Sequence, residues 1–314
     1  MAVAAPGDKY VESQTVSFAL DRIDQRALPL DRTYRHVGSG RNVTVYVFDG
    51  GILGAHPELA GRVRRGYNAF PYEARLCNPH GTAVAGAIAG TTLGVAPDVE
   101  IVDVKMVECH QLRGTIDAIV RGADWAIADH AQHPGRRAVA NWSFVADTAA
   151  AIPELDSAVA RLLAAGIPVV VSAGNIETDA CHISPGNAPG VIVVGASRVH
   201  RNARTGSTLV DGRAPNTAYG RCINVYAPGD SVLLPSWDAH LAPTEQLWSG
   251  TSMAAGYVSG AIALYLEEFP SATPAEVFAH VTRNTGALVQ VDSSSPRAPL
   301  LFVGPSEPIL SSRR

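Results

Sequence analysis

Short apolar runs alternate with amphipathic stretches along most of this 314-residue chain. Six runs read as buried strands: Val43 to Phe48, Glu100 to Lys105, Ala138 to Trp142, Val169 to Ser172, Val191 to Val194 and Ile223 to Tyr226. Each is short, rich in β-branched residues and bounded by turn formers, the pattern of strands covered on both faces. Between them, Gly81 to Ala89, Thr115 to Gln132, Pro153 to Ala165 and Ser252 to Glu268 carry helical patterns. Strands alternating with helices need right-handed crossovers, which predict a mostly parallel sheet flanked by helices. The fold class is therefore α/β, with one domain over residues 18–304. Residues 1–17 are polar and aperiodic and read as a leader or its remnant. Ser293 to Arg297 reads as a turn, and residues 305–314 read as a loose tail.

Composition narrows the function. An apolar content of 46% suits one large core. A net charge of −4 supplies no basic footprint for nucleic acid or an anionic membrane surface. No apolar stretch approaches the roughly 20 residues that span a bilayer. The first ten residues have neither the basic start nor the apolar run of a signal peptide, so no export signal is read there.

Candidate chemistry lies in four motifs. Ser252 sits in Ser249-Gly-Thr-Ser-Met-Ala-Ala-Gly256, between a glycine turn and a long apolar run, where a hydroxyl can be presented at the mouth of a helix. A serine nucleophile needs a base, an orienter for the base and a donor for a developing oxyanion. Asp49 ends the run from Val43 and is followed by Gly50-Gly51; His80 opens a small-residue helix pattern in Asn78-Pro-His-Gly-Thr; Asn175 closes Val169-Val-Val-Ser-Ala-Gly-Asn175. Sites in parallel sheets collect beyond the carboxyl ends of strands, where Asp49, Asn175 and the turn before Ser252 fall.

Together, in this order, the motifs resemble those of the subtilases, and among them the proteinase K-like enzymes, over about Phe18 to Val303. The resemblance implies a three-layer subtilisin-like fold and a serine endopeptidase working through an acyl-enzyme. Asp49 would orient His80, His80 would take the proton of Ser252, and the Asn175 side chain with the Ser252 N–H would form the oxyanion hole. No cofactor is needed for that chemistry. The implied partner is a protein or peptide substrate, with no nucleic acid, no membrane and a monomeric enzyme. Four cysteines alone allow three connectivities or buried thiols; the resemblance pairs Cys77 with Cys109 and Cys181 with Cys222. Paired cysteines point to an extracellular, oxidising setting, whereas the missing export signal and propeptide keep the cytoplasm open.

Departures from the family pattern bear on substrate. Gly50-Gly51 stands for Thr-Gly, Ala83 for a second histidine, and Gly256-Tyr257 for Pro-His. One peptide-binding edge reads Ser143-Phe144-Val145-Ala146 and the facing edge Leu112-Arg113-Gly114, where the family favours glycines. Side chains there should narrow the cleft, and Arg113 should favour an acidic residue; the competing expectation is that loops shift and specificity stays broad. A dedicated leader-peptide protease or peptide ligase is the alternative enzyme, and a peptide-binding pseudoenzyme the alternative of another class. Asp21, Asp24, Gln25 and Asp31 match a calcium-binding pattern of some relatives, or else cap a helix and pair with Arg22 and Arg26. A second calcium pattern falls on the carbonyls of Pro189 and Val191 and on Asn224, where the family has an Asp. No Cys/His cluster has zinc spacing.

Overall fold

The first regular element is one that the hydrophobic pattern does not show. In a computed structural model, which describes residues 10–146, 150–202, 206, 208–289 and 299–304, β1 (Tyr10–Gln14) runs antiparallel to β2 (Thr33–Val37), with α1 (Phe18–Ile23) between them. Residues 10–17 thus correct the expectation of an aperiodic leader: Ser17 caps α1 by accepting the Leu20 N–H. The polar strand Tyr-Val-Glu-Ser-Gln is held by ladder hydrogen bonds, which a hydrophobicity pattern cannot register.

The chain then enters the main sheet with β3 (Val43–Asp49), β4 (Val63–Asn68), α2 (His80–Ala89) and β5 (Glu100–Lys105). Two short strands, β6 (Val107–Glu108) and β7 (Arg113–Gly114), precede α3 (Ile116–Ala131), β8 (Arg137–Trp142), α4 (Pro153–Ala164) and β9 (Val169–Ser172). A hairpin of β10 (Ile192–Arg201) and β11 (Leu209–Arg213) leads to β12 (Val225–Pro228). A second hairpin, β13 (Val232–Trp237) with β14 (Pro243–Trp248), feeds directly into α5 (Thr251–Glu268). After it come α6 (Pro274–Arg283), β15 (Thr285–Leu288) and β16 (Pro299–Leu301).

Among the described residues, ten strands form the central sheet, in the order β15-β16-β12-β10-β9-β8-β3-β5-β4 with β11 beside β10. Every pair from β4 to β12 along that path is parallel. The sheet separates two cores, because successive strand side chains point to opposite faces. Val45 and Val47 pack with α2 and α5, while Tyr46 and Phe48 pack with α3 and α4. α5 is buried almost all round, which is why its sequence is apolar without an amphipathic stripe. Gly256 lets α2 and α5 approach: a Cβ there would stand 2.9 Å from Ala87 Cβ and 3.1 Å from the Val84 carbonyl. Its neighbour Tyr257 is fully buried in the same core. The residues in place of Pro-His therefore serve helix packing.

Most expected elements appear with shifted ends. The run from Ile223 begins as a loop, and the strand occupies Val225–Pro228; the run from Val191 becomes the ten-residue β10. Residues 1–9, 293–297 and 305–314, for which a leader, a turn and a tail are expected, lie outside the described residues.

Candidate active site

Three strand ends and two helix starts meet at one point of the sheet. The parallel register places Phe48 beside Trp142 and Trp142 beside Val171, so Asp49, Ser143 and the turn to Asn175 emerge side by side. His80 opens α2, and the approach of that helix to Asp49 requires a glycine after it. A Cβ at Gly81 would lie 2.6 Å from the Gly51 carbonyl and 3.0 Å from Asp49 Cγ.

His80 Nδ1 and Asp49 Oδ2 are 2.8 Å apart, and the Gly50 N–H donates to the other oxygen, Asp49 Oδ1, at 2.7 Å. Asp49 is 4% exposed, whereas the His80 side chain keeps 30% of its surface open. Burial pushes the imidazole pKa down, but the charge of Asp49 and the hydrogen bond to it outweigh burial, and the net shift is upward. A carboxylate on Nδ1 holds the proton there and leaves Nε2 as the acceptor.

Ser252 is the second residue of α5, so its N–H precedes the intrahelical ladder and is free to donate outward. Its hydroxyl donates to the Ser143 carbonyl at 3.2 Å. Beside it, Asn175 Oδ1 accepts from the Thr251 N–H at 2.9 Å and the Thr251 hydroxyl at 3.1 Å. That double anchor fixes the amide so that its Nδ2 is the group left for a ligand. A hydroxyl, an imidazole oriented by a carboxylate, and an amide donor near a helix N-terminus are the parts that acyl transfer needs.

A cleft of about 780 Å³ opens from this point, lined by Asp49, His80 and all seven expected edge residues: Leu112, Arg113, Gly114, Ser143, Phe144, Val145 and Ala146. Met106, Ile119 and Leu155 make its floor apolar. The edges are built differently. Arg113 and Gly114 are exposed and pair with Val107 and Glu108, and Leu112 before them takes φ 54°. Phe144 stacks on Trp142 at 5.4 Å, and the Val145 methyls lie 3.5 Å from where a Gly174 Cβ would be. Trp248 lines the same cleft, its ring edge-on to His80 at 6.2 Å, and was not singled out from the sequence. A lone aromatic before the Ser252 turn carries no spacing signal.

Both expected cysteine pairs are bonded. Cys77–Cys109 ties the segment before His80 to the end of β6, and Cys181–Cys222 ties the loops beyond Asn175. Among the described residues, one further group has metal-ligand proximity, Glu73 with Cys77 and Cys109, but those sulfurs are spent on each other.

The N-terminal acids are partly spent as well. Asp21 Oδ2 accepts the Arg32 N–H, Asp24 Oδ2 the Arg35 N–H, and Asp31 both the Thr33 N–H and the Arg35 guanidinium. Arg22 pairs instead with Asp211, and Arg26 reaches the Thr285 carbonyl, which corrects the expected pairing of both with these acids. The Gln25 amide N–H donates to the Asp21 carbonyl, Asp21 Oδ1 and Asp31 Oδ1, which occupies those oxygens. One observation fits a hard cation: Asp24 Oδ1 is buried without a partner, and burial raises that carboxyl to about 7. The second set fits poorly, because Asn224 Oδ1 is taken by the Val193 N–H at 2.7 Å.

The candidate site lies at the carboxyl ends of strands in a mostly parallel α/β sheet. The family model for the subtilase family, peptidase S8, matches residues 40–299, and the chain belongs to that family. It is 41% identical over 270 residues to an extracellular serine proteinase of Thermus sp. (strain Rt41A), covering 85% of this chain and 61% of the relative. It is 36% identical over 287 residues to alkaline serine exoprotease A of Vibrio alginolyticus, covering 91% and 50%. The chain therefore spans about half to three-fifths of these relatives' length. A crystal structure of a cold-adapted subtilisin-like serine proteinase superposes with a TM-score of 0.79 at 33% identity, covering 94% of this chain and all of the other.

Proposed function

We propose that this chain is a serine endopeptidase in which Ser252 attacks a peptide carbonyl. The observation that carries the reading is the 2.8 Å pair of His80 and Asp49, together with a serine that opens α5 next to an Asn175 anchored by Thr251. His80 accepts the Ser252 proton, forms an imidazolium stabilised by Asp49, and returns the proton to the leaving amine. The tetrahedral oxyanion takes hydrogen bonds from the Asn175 amide and the Ser252 N–H. Water then repeats the sequence on the acyl-enzyme.

Substrate is a protein or peptide, and its range is restricted. Leu112, Arg113, Val145 and Ala146 put side chains on the two cleft edges, the apolar floor suits an apolar residue, and Arg113 suits an acidic one. The enzyme acts as a monomer, and its compartment is oxidising, which the two disulfides and the extracellular relative of Thermus support. No described helix is long and apolar enough to cross a membrane. Asp21, Asp24, Gln25 and Asp31 would hold a calcium ion that ties α1 to the segment before β2; no chemical step passes through it.

Cleavage of a peptide library with product analysis tests the reading. Hydrolysis confined to few sequence contexts, and lost in Ser252→Ala, is expected. Indiscriminate cutting would overturn the restricted range. Transfer to an added amine in place of water would favour a ligase, and no turnover would favour a peptide-binding protein.

A further inference from the structure

Polar side chains inside apolar elements need a reason. Asn141 lies in β8 and Ser259 in α5, and neither has any exposed surface. They meet in one chain of bonds that ends at the proposed nucleophile. The Ser259 hydroxyl donates to Asn141 Oδ1 at 2.9 Å, Asn141 Nδ2 donates to Ser143 Oγ at 2.9 Å, and the Ser143 hydroxyl donates to the Ser252 carbonyl at 3.1 Å. Ser252 returns a bond from its own hydroxyl to the Ser143 carbonyl.

Two periodicities bring these four residues together. Positions 141 and 143 are two apart and leave the strand line on one face; positions 252 and 259 are seven apart, two turns along one helix face. The bonds run in one consistent sense. Each hydroxyl has one proton to give, so Asn141 must present Nδ2 to Ser143 if the Ser143 proton is to reach Ser252. Ser259, donating to Oδ1, matches that sense. Were the amide reversed, its oxygen would face Ser143 Oγ and draw the proton away from the Ser252 carbonyl.

We propose that Asn141 and Ser259 are positioning residues for Ser252, acting through Ser143. They touch neither substrate nor reacting atoms. Their chain of bonds sets the first turn of α5 against the end of β8, and so sets the Ser252 hydroxyl and N–H against His80 and Asn175. A small displacement of reacting groups lowers turnover far more than binding. The proposal rests on the serine-peptidase reading.

The test compares kcat and KM of Ser259→Ala, Ser143→Ala and the double variant on one peptide substrate, at a temperature where melting curves show each folded. Ser259→Ala is expected to lower kcat by about five- to twenty-fold with KM within about twofold. Because Ser259 acts through Ser143, the double variant should match Ser143→Ala, and Ser259→Thr should recover most of kcat. If Ser259→Ala does not fold, Asn141→Ala takes its place in the same cycle. Wild-type kcat in a Ser259→Ala protein that has lost only thermal stability would overturn the proposal, as would losses that multiply in the double variant. An inactive wild-type chain that takes no label at Ser252 would bring down the peptidase reading, and this proposal with it.

Discussion

The floor of the site and the edges of the cleft obey different rules. On the floor, Asp49 is 4% exposed, Ser252 6% and Thr251 0%, and each is the end or start of an element locked into the core. On the edges, Leu112 is 51% exposed, and Arg113 and Gly114 beside it are exposed as well. Floor residues cannot move without repacking α2 and α5 against the sheet, so their identities follow the family pattern. The exposed edge of Leu112 and Arg113 carries no such constraint, and there the chain departs from it, while Phe144 and Val145 on the facing edge pack against the core. Chemistry is thus tied to the core, and selectivity to edges that the core holds less tightly.

Substitutions can break this division, in order of expected effect. Ser252→Ala should lower kcat by about six orders of magnitude and leave peptide binding intact, read by single-turnover assay and isothermal titration. Asp49→Asn should cost about four orders and also shift the pH profile. The Asp49 interactions outweigh the burial that lowers the His80 pKa and carry it above 6.5. Since the base must be neutral, kcat/KM should rise with pH through a midpoint above 6.5, and the residual activity of Asp49→Asn should rise at lower pH. A wild-type midpoint below 6.5 contradicts that balance. Asn175→Ala should keep the fold and lower kcat by two to three orders; a near-normal rate removes Asn175 from the oxyanion hole. At the edge, Val145→Gly should change the preference between large and small substrate side chains by about tenfold. It should leave the intrinsic reactivity of Ser252 unaltered, and an equal loss for all substrates would place Val145 with the floor.

The same division explains what could be read from the chain alone. Strands β3, β5, β8 and β9 are buried on both faces, so apolar residues dominate β3, β8 and β9 and recur at Ile101, Val102 and Val104 of β5. The helix starts carrying His80 and Ser252 were legible from glycine turns next to small-residue runs. Strand β4, Val-Arg-Arg-Gly-Tyr-Asn, was not, because as an edge strand it uses Arg64 to pair with Asp129 and Glu100 instead of burying apolar side chains. The β13–β14 hairpin hides behind Pro235 and Pro243 and an exposed second strand. Helix α6 carries its own start signal, a capping box of Thr273 and Glu276 with Pro274 at the first position. Asn141 and Ser259 also left a trace, as lone polar residues in apolar runs. Only the structure shows that they face each other.

Labelling of the folded protein with a fluorophosphonate, mapped by mass spectrometry, tests the central claim most directly. A single adduct on Ser252, formed faster as pH rises above 6.5 and absent in Ser252→Ala, is the expected result. A folded protein that takes no adduct, or takes it on another residue, would contradict the account.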